Sequence, residues 1–136
     1  KRGTGRAISK AQAIDILRKA GQAGLVQMVE NSRALGKVIC NCCSCCCAII
    51  RPARTDPACK PVLAPSLFKA SLVEDNCIGD ELCLDVCPMD AIELDEVTQK
   101  VRIDEDRCLG CGACLSACLS DALNLVKIRQ PDFIPE

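Results

Sequence analysis

Apolar residues recur at helical spacing near the start of the chain, where Ile14, Leu17 and Ala20 fall on one face behind Ser9 and Gln12, a capping-box pair. This predicts a helix over about 10 to 20 with Gly21 as its stop. Leu25-Val26-Gln27-Met28-Val29 and Val38-Ile39-Cys40 flank the polar Asn31-Ser32-Arg33, which predicts two strands that deliver the residues around Cys40 to a loop. Prolines and small residues between Pro52 and Pro65 predict an irregular join. Beyond it the pattern alternates, and residues 70–73, 91–94, 101–103 and 122–125 read as short strands.

The second half repeats itself. At an offset of 31 residues, Cys77, Asp80, Cys83, Cys87, Asp90, Ala91 and Leu94 map onto Cys108, Cys111, Cys114, Cys118, Asp121, Ala122 and Leu125. Each copy is a strand, a cysteine loop, a short helix and a strand. The expected fold class is α+β: a pseudo-twofold domain over 61–128, preceded by a basic helix-plus-hairpin, cysteine-rich domain over 1–60 and followed by an extended tail over 129–136. Gln130-Pro131-Asp132-Phe133-Ile134-Pro135-Glu136 reads as an arm that lies on a partner.

Composition sharpens this picture. There are 14 cysteines among 136 residues, no histidine, and only Phe68 and Phe133 as aromatics, so inorganic cofactors take the place of a large apolar core. Adjacent thiols such as Cys45, Cys46 and Cys47 are poor disulfide partners for one another. Residues 1–60 carry eleven Lys or Arg against Asp15, Glu30 and Asp56, a formal +8, while residues 61–136 carry six against fifteen acids, a formal −9. The two parts attract each other or dock to partners of opposite sign. Without stacking aromatics or a reading motif the basic part excludes nucleic acid, and no run approaches the ~20 apolar residues of a membrane span. The expectation is a cytoplasmic protein in a reducing compartment.

Cys108-Leu109-Gly110-Cys111-Gly112-Ala113-Cys114-Leu115-Ser116-Ala117-Cys118 has the CxxCxxCxxxC form, and the first copy ends Cys87-Pro88. Zinc wants two separated cysteine pairs rather than two interleaved sets of four. This half resembles the bacterial two-cluster ferredoxins. The resemblance implies crossed ligation, in which three thiols of a loop and the fourth cysteine of the other copy share one 4Fe-4S cluster. One cluster then takes Cys108, Cys111, Cys114 and Cys87, and the other Cys77, Cys83 and Cys118. The departure is Asp80, which stands where the fourth thiol belongs. A carboxylate is a harder ligand than thiolate, so this cluster is a 4Fe-4S centre with Asp80 as ligand, a 3Fe-4S centre, or a 4Fe-4S centre with water at the open iron. Leu119 replaces the usual proline after Cys118 and leaves ligation untouched.

Six cysteines lie in the run Cys40-Asn41-Cys42-Cys43-Ser44-Cys45-Cys46-Cys47. Cys40, Cys43 and Cys46 repeat the CxxCxxC spacing of the Cys108 loop, which predicts a third 4Fe-4S cluster. Cys42, Cys45 and Cys47 are further candidates, and a thiolate-bound zinc or copper site competes with the cluster. Cys59 reads as an incidental thiol.

Helix, cysteine run and two-cluster domain together resemble electron-transfer subunits of anaerobe reductases, such as the ferredoxin-like small subunit of the tungsten-containing benzoyl-CoA reductases. That resemblance implies a hetero-oligomer whose catalytic oxidoreductase subunit carries the substrate site, with no catalytic residue on this chain. The expected function is a relay of single electrons through about three clusters. A free ferredoxin-type carrier and a protein for metal or cluster storage and assembly are the alternatives.

Overall fold

The capping box is formed in full: Gln12 N donates to Ser9 Oγ at 3.2 Å and Ser9 N donates to Gln12 Oε1 at 2.9 Å. It starts helix α1, Lys10–Gln22, in a computed structural model that describes residues 5–34, 36–64 and 66–135. Lys1 to Thr4, Leu35, Pro65 and Glu136, which fall within the expected basic segment, hairpin, join and tail, lie outside the described residues. The helix passes Gly21 and ends at Gln22, because the left-handed turn is made by Gly24 at φ 71°. Ala20 is buried while Ile14 is exposed, so the apolar face is covered only near its end. That end lies against the following strand, where Gln27 Nε2 donates to Leu17 O at 2.6 Å.

Strands β1 (Val26–Val29) and β2 (Ile39–Cys42) pair antiparallel, with Val26 opposite Cys42 and Met28 opposite Cys40. β2 runs beyond the predicted strand, so Cys40 and Cys42 are strand residues and the thiol-bearing turn begins at Cys43. Helix α2 (Ile50–Thr55) and a 3₁₀ turn (Pro57–Val62) follow, giving regular structure where an irregular join was expected. Asp56 Oδ1 accepts from Ala58 N at 2.9 Å and caps that turn.

The second half has strands where the alternation predicted them: β3 (Phe68–Leu72), β4 (Ile92–Asp95), β5 (Lys100–Ile103) and β6 (Leu123–Lys127). β3 pairs antiparallel with β6, and β4 with β5, so the first strand of one copy meets the last of the other. The short helices α3 (Leu82–Asp85) and α4 (Ala113–Ala117) occupy matching places in the repeat. α1 lies against β1 and α4. The result is a small mixed helix-and-strand fold.

Its core is thin. One apolar group gathers Ala70, Ile92, Val101, Ala122 and Leu123 with Cys77, Cys83 and Cys114, so three of its buried members are thiols. A second joins Val26, Ile50 and Ala53 of the basic half to Met89 and Ala91 of the acidic half. Ile50 is the one large side chain with no exposed surface among the described residues. The C-terminal segment, read as an extended arm, makes a 3₁₀ turn at Pro131–Phe133. Arg33 ties it to the chain itself, with Nε on Ile134 O at 2.8 Å and N on Pro135 O at 2.9 Å.

Candidate metal centres

Cys87, Cys108, Cys111 and Cys114 line one small cavity of ≈ 20 Å³, whose other walls are apolar, among them Met89, Ile92 and Ile103. The loop that brings three of them together depends on backbone that only glycine adopts easily. Gly110 has φ 68° and Gly112 φ 78°, both in the left-handed region that a Cβ disfavours. Gly110 also lies against the Phe68 carbonyl so closely that a Cβ there would sit 2.7 Å from Phe68 C and 3.0 Å from Ser66 Cβ. Cys114 is the second residue of α4 and is buried. Burial pushes its thiol up to about 12, and the charges of Cys111, Cys87 and Cys108 act in the same direction. Such a pocket holds thiolates only with a cation among them. Four soft donors around an apolar space fit an iron-sulfur cluster.

Cys77, Cys118 and Asp80 lie near enough to Cys83 for their charges to act on it. Burial pushes Cys83 up to about 11, and the charges that add to this shift come from Asp80, Cys118 and Cys77. Gly79, at φ 69°, matches Gly110 in the repeat and backs onto the Gln99 carbonyl. Glu81 matches Gly112 and takes φ 59° although it has a side chain. Asp80 is exposed, and its Oδ1 accepts from Leu82 N at 3.3 Å. Its second oxygen remains available to a metal, so this set also fits an iron centre, with one hard donor among soft ones.

Three features escaped the sequence reading. Cys87 Sγ accepts from Ala91 N at 3.2 Å and Cys118 Sγ from Ala122 N at 3.3 Å, the same bond in both copies. Burial opposes ionisation of Cys118, but bonds from the Ser120 hydroxyl and from the Ala122, Ser120 and Leu123 amides hold it below its ordinary value. Lys100 Nζ donates to Cys77 O from a half-buried position and sets a cation beside this site. The Ala91–Ala122 match in the repeat was visible, but its meaning as a sulfur-directed amide was not.

In the cysteine run, Cys43, Cys45 and Cys46 converge. Cys43 Sγ stands 3.0 Å from Cys45 Sγ and 2.9 Å from Cys46 Sγ, and all three sulfurs lie within 4.8 Å of one another. Hydrogen bonds from Cys45 and Cys46 pull Cys43 down to about 6, while the bond to Cys43 pushes Cys46 up to about 12, so one thiolate is held by two thiols. Cys40, expected to complete a register with Cys43 and Cys46, is outside this group. It stands near Cys42, whose thiol is raised to about 11 by burial and by Cys47 and Cys40. Cys59 sits in the 3₁₀ turn, with Sγ 3.9 Å from Asp56 Oδ2.

The run is joined to the second half by charge and by packing. Arg54 on α2 grips Asp90 with two bonds of 2.6 Å and reaches Ser44 Oγ at 3.4 Å. Cys42, Cys47, Cys87 and Cys108 all pack on the core group formed by Ile50, Ala53, Met89 and Ala91. The run therefore adjoins the site of Cys87 and Cys108, and part of the opposite charge of the two halves is spent at this contact.

Residues 76–122 match the model of the 4Fe-4S dicluster domain family. No curated protein matches the chain. The matched span holds Cys77, Cys83, Cys87, Cys108, Cys111, Cys114 and Cys118, so the match takes in both cysteine loops and supports an iron-sulfur, ferredoxin-like domain in the second half.

Proposed function

We propose that the chain is an electron-transfer subunit that carries two 4Fe-4S clusters in its second half and exchanges single electrons with a larger redox enzyme. In this reading the halves of 61–128 are related by a pseudo-twofold. One cluster is held by Cys108, Cys111, Cys114 and Cys87, and the other by Cys77, Cys83, Cys118 and Asp80. The observation that carries it is the meeting of these two sets inside the span that matches the dicluster family. A 4Fe-4S cluster supplies one-electron chemistry at a potential set by ligand type, hydrogen bonds to sulfur and exposure.

The chain's own residues do the tuning. Ala91 and Ala122 direct an amide at the cysteine that each copy lends to the other cluster, which stabilises added negative charge on sulfur. Lys100 does the same near Cys77, whereas Asp80, Glu81 and Asp85 oppose it. The apolar walls around Cys114 shield the site of Cys87, Cys108, Cys111 and Cys114 from water. Segment 1–60 serves as a basic attachment domain that packs on the clusters' domain through Ile50 and Met89, and 129–136 as its C-terminal extension.

The subunit part of the reading is supported by surface. Ile78, Leu82 and Leu119, each next to a thiol of the Asp80 site, are exposed apolar residues. Their acidic surroundings suit a basic docking face, as on a catalytic oxidoreductase subunit, with a tungsten enzyme of the benzoyl-CoA reductase kind as the specific partner. All 14 thiols are free, in keeping with an anaerobic, reducing cytoplasm.

Anaerobic purification without a tag, followed by iron and sulfide analysis and low-temperature EPR, tests this proposal. About eight irons within the second half are expected, or about seven if the iron at Asp80 is lost. About four would overturn the pair of clusters, and a monomer with full carrier activity would overturn the subunit assignment.

A further inference from the structure

We propose that Cys43, Cys45 and Cys46 hold a single thiophilic metal ion, zinc in the resting protein, in place of the third cubane that the CxxCxxC spacing of Cys40, Cys43 and Cys46 suggests. The inference is independent of the clusters in the second half.

Backbone conformation separates the run from the two cluster loops. In the Cys108 loop the residues two and four places after the first cysteine, Gly110 and Gly112, have φ 68° and 78°. In the Cys77 loop the same places, Gly79 and Glu81, have φ 69° and 59°, the latter in spite of a side chain. Two left-handed residues are thus the feature shared by the two loops that set three candidate ligands at this spacing. In the run these places fall on Cys42 and Ser44, and neither has positive φ. Cys42 is instead fixed in β2 opposite Val26, and Cys40 opposite Met28. A strand held by its ladder cannot wrap a cube in the way those loops do.

Sulfur spacing points the same way. A cubane takes one thiolate at each iron, so its ligands stand well apart, and the thiols that line the Cys87–Cys114 cavity are not among the groups of three within 4.8 Å. Cys43, Cys45 and Cys46 are such a group, the only one among the described residues. A tetrahedral ion with Zn–S of about 2.3 Å sets sulfurs about 3.8 Å apart, a small outward movement from the observed 2.9 and 3.0 Å. Thiolate ligands select zinc or copper(I) over harder ions. The remaining thiol protons are released as the ion binds. Cys47, whose N–H donates to Cys43 O at 3.3 Å in the same turn, or solvent takes the fourth position. With Cys45 and Cys46 exposed, the ion enters from solution. Bound there, it closes the turn that leads into α2 and so fixes Ile50 and Arg54 against Met89 and Asp90.

The test is iron, zinc and copper analysis of the full chain after anaerobic cluster reconstitution and addition of one equivalent of Zn²⁺, for the unaltered protein, Cys45→Ser and Cys40→Ser. About one zinc per chain beside the cluster iron is expected. Cys45→Ser should lose it with iron unchanged, and Cys40→Ser should keep it. Replacement of zinc by Co²⁺ should give the intense visible bands of tetrahedral thiolate coordination, lost in Cys45→Ser. Cluster iron and absorption report whether each variant has folded. One copper in place of zinc, lost in Cys45→Ser, would support the site and overturn zinc as its ion. About twelve irons, falling by four in Cys40→Ser, would overturn the proposal, as would zinc retained in Cys45→Ser.

Discussion

Replacing Gly110 by alanine isolates the contact that builds the Cys108 loop. A side chain at φ 68° costs about 1–2 kcal/mol relative to glycine. The added Cβ would also run into the Phe68 carbonyl, with Phe68 C at 2.7 Å and Ser66 Cβ at 3.0 Å. Phe68 is the first residue of β3 and pairs with Lys127, so its backbone cannot retreat without loss of the sheet. Overpacking of this kind adds roughly 1–3 kcal/mol, for a total of about 2–5. Gly112→Ala provides the control. Its φ is 78°, but its Cβ meets only Leu125 Cδ1, at 3.2 Å, the end of a side chain that can rotate. That variant should cost little beyond the conformational 1–2 kcal/mol. The difference of ~2 kcal/mol is roughly a thirtyfold change in the folded ratio. Because cluster loss is irreversible, the comparison is best made as the half-life of visible absorption under anaerobic denaturant, with iron counted afterwards. Gly110→Ala should bleach first and lose the iron of one cluster. Equal half-lives for the two variants would refute the reasoning.

Lys100→Met removes the cation that bonds Cys77 O and should make the Asp80-side cluster harder to reduce by tens of mV, with the other potential unmoved in film voltammetry. Asp80→Cys should change that cluster's spin signature and lower its potential; an unchanged EPR spectrum would mean that the carboxylate never touches iron. Arg54→Ala breaks the two 2.6 Å bonds to Asp90. The pair is partly exposed, so stability should fall by no more than about 1 kcal/mol, while hydrogen exchange of α2 amides quickens and iron stays bound.

How much of this was legible from the residues depends on the range of the signal. The capping box at Ser9 and the alternating strands are local patterns, and both formed. The 31-residue repeat placed the cysteines of the second half in equivalent elements because each copy carries its own loop, helix and strand. It also matched Asp90 to Asp121 without a reason, and the structure supplies one: they have φ 48° and 52°, and Asp tolerates the left-handed region better than most residues. Arg54 and Asp90 are 36 residues apart with no pattern to link them, so their contact could not be read. In the run, cysteine is both a small apolar strand residue and a ligand. Cys40 was read both as the end of a strand and as a ligand and Cys42 only as a candidate ligand, whereas β2 takes in both.

On the zinc proposal, that double character explains how identical spacing can serve different sites. CxxCxxC records only which residues carry sulfur; whether three sulfurs surround a cube or close on one ion is decided by the residues between them. Gly110 and Gly112 turn the Cys108 loop, and in the Cys77 loop Gly79 is helped by Glu81, a residue that bears the strain of φ 59° to keep the same turn. Glu81→Gly should therefore relieve about 1 kcal/mol and lengthen the half-life of the Asp80-side cluster, without altering its potential beyond the loss of one surface charge. Glycine at Ser44, by contrast, should bring no iron to the run, because β2 still holds Cys40 and Cys42 in its ladder. Both variants can be followed in the same bleaching and iron assays, and iron gained by Ser44→Gly would show that spacing, not backbone, governs the choice.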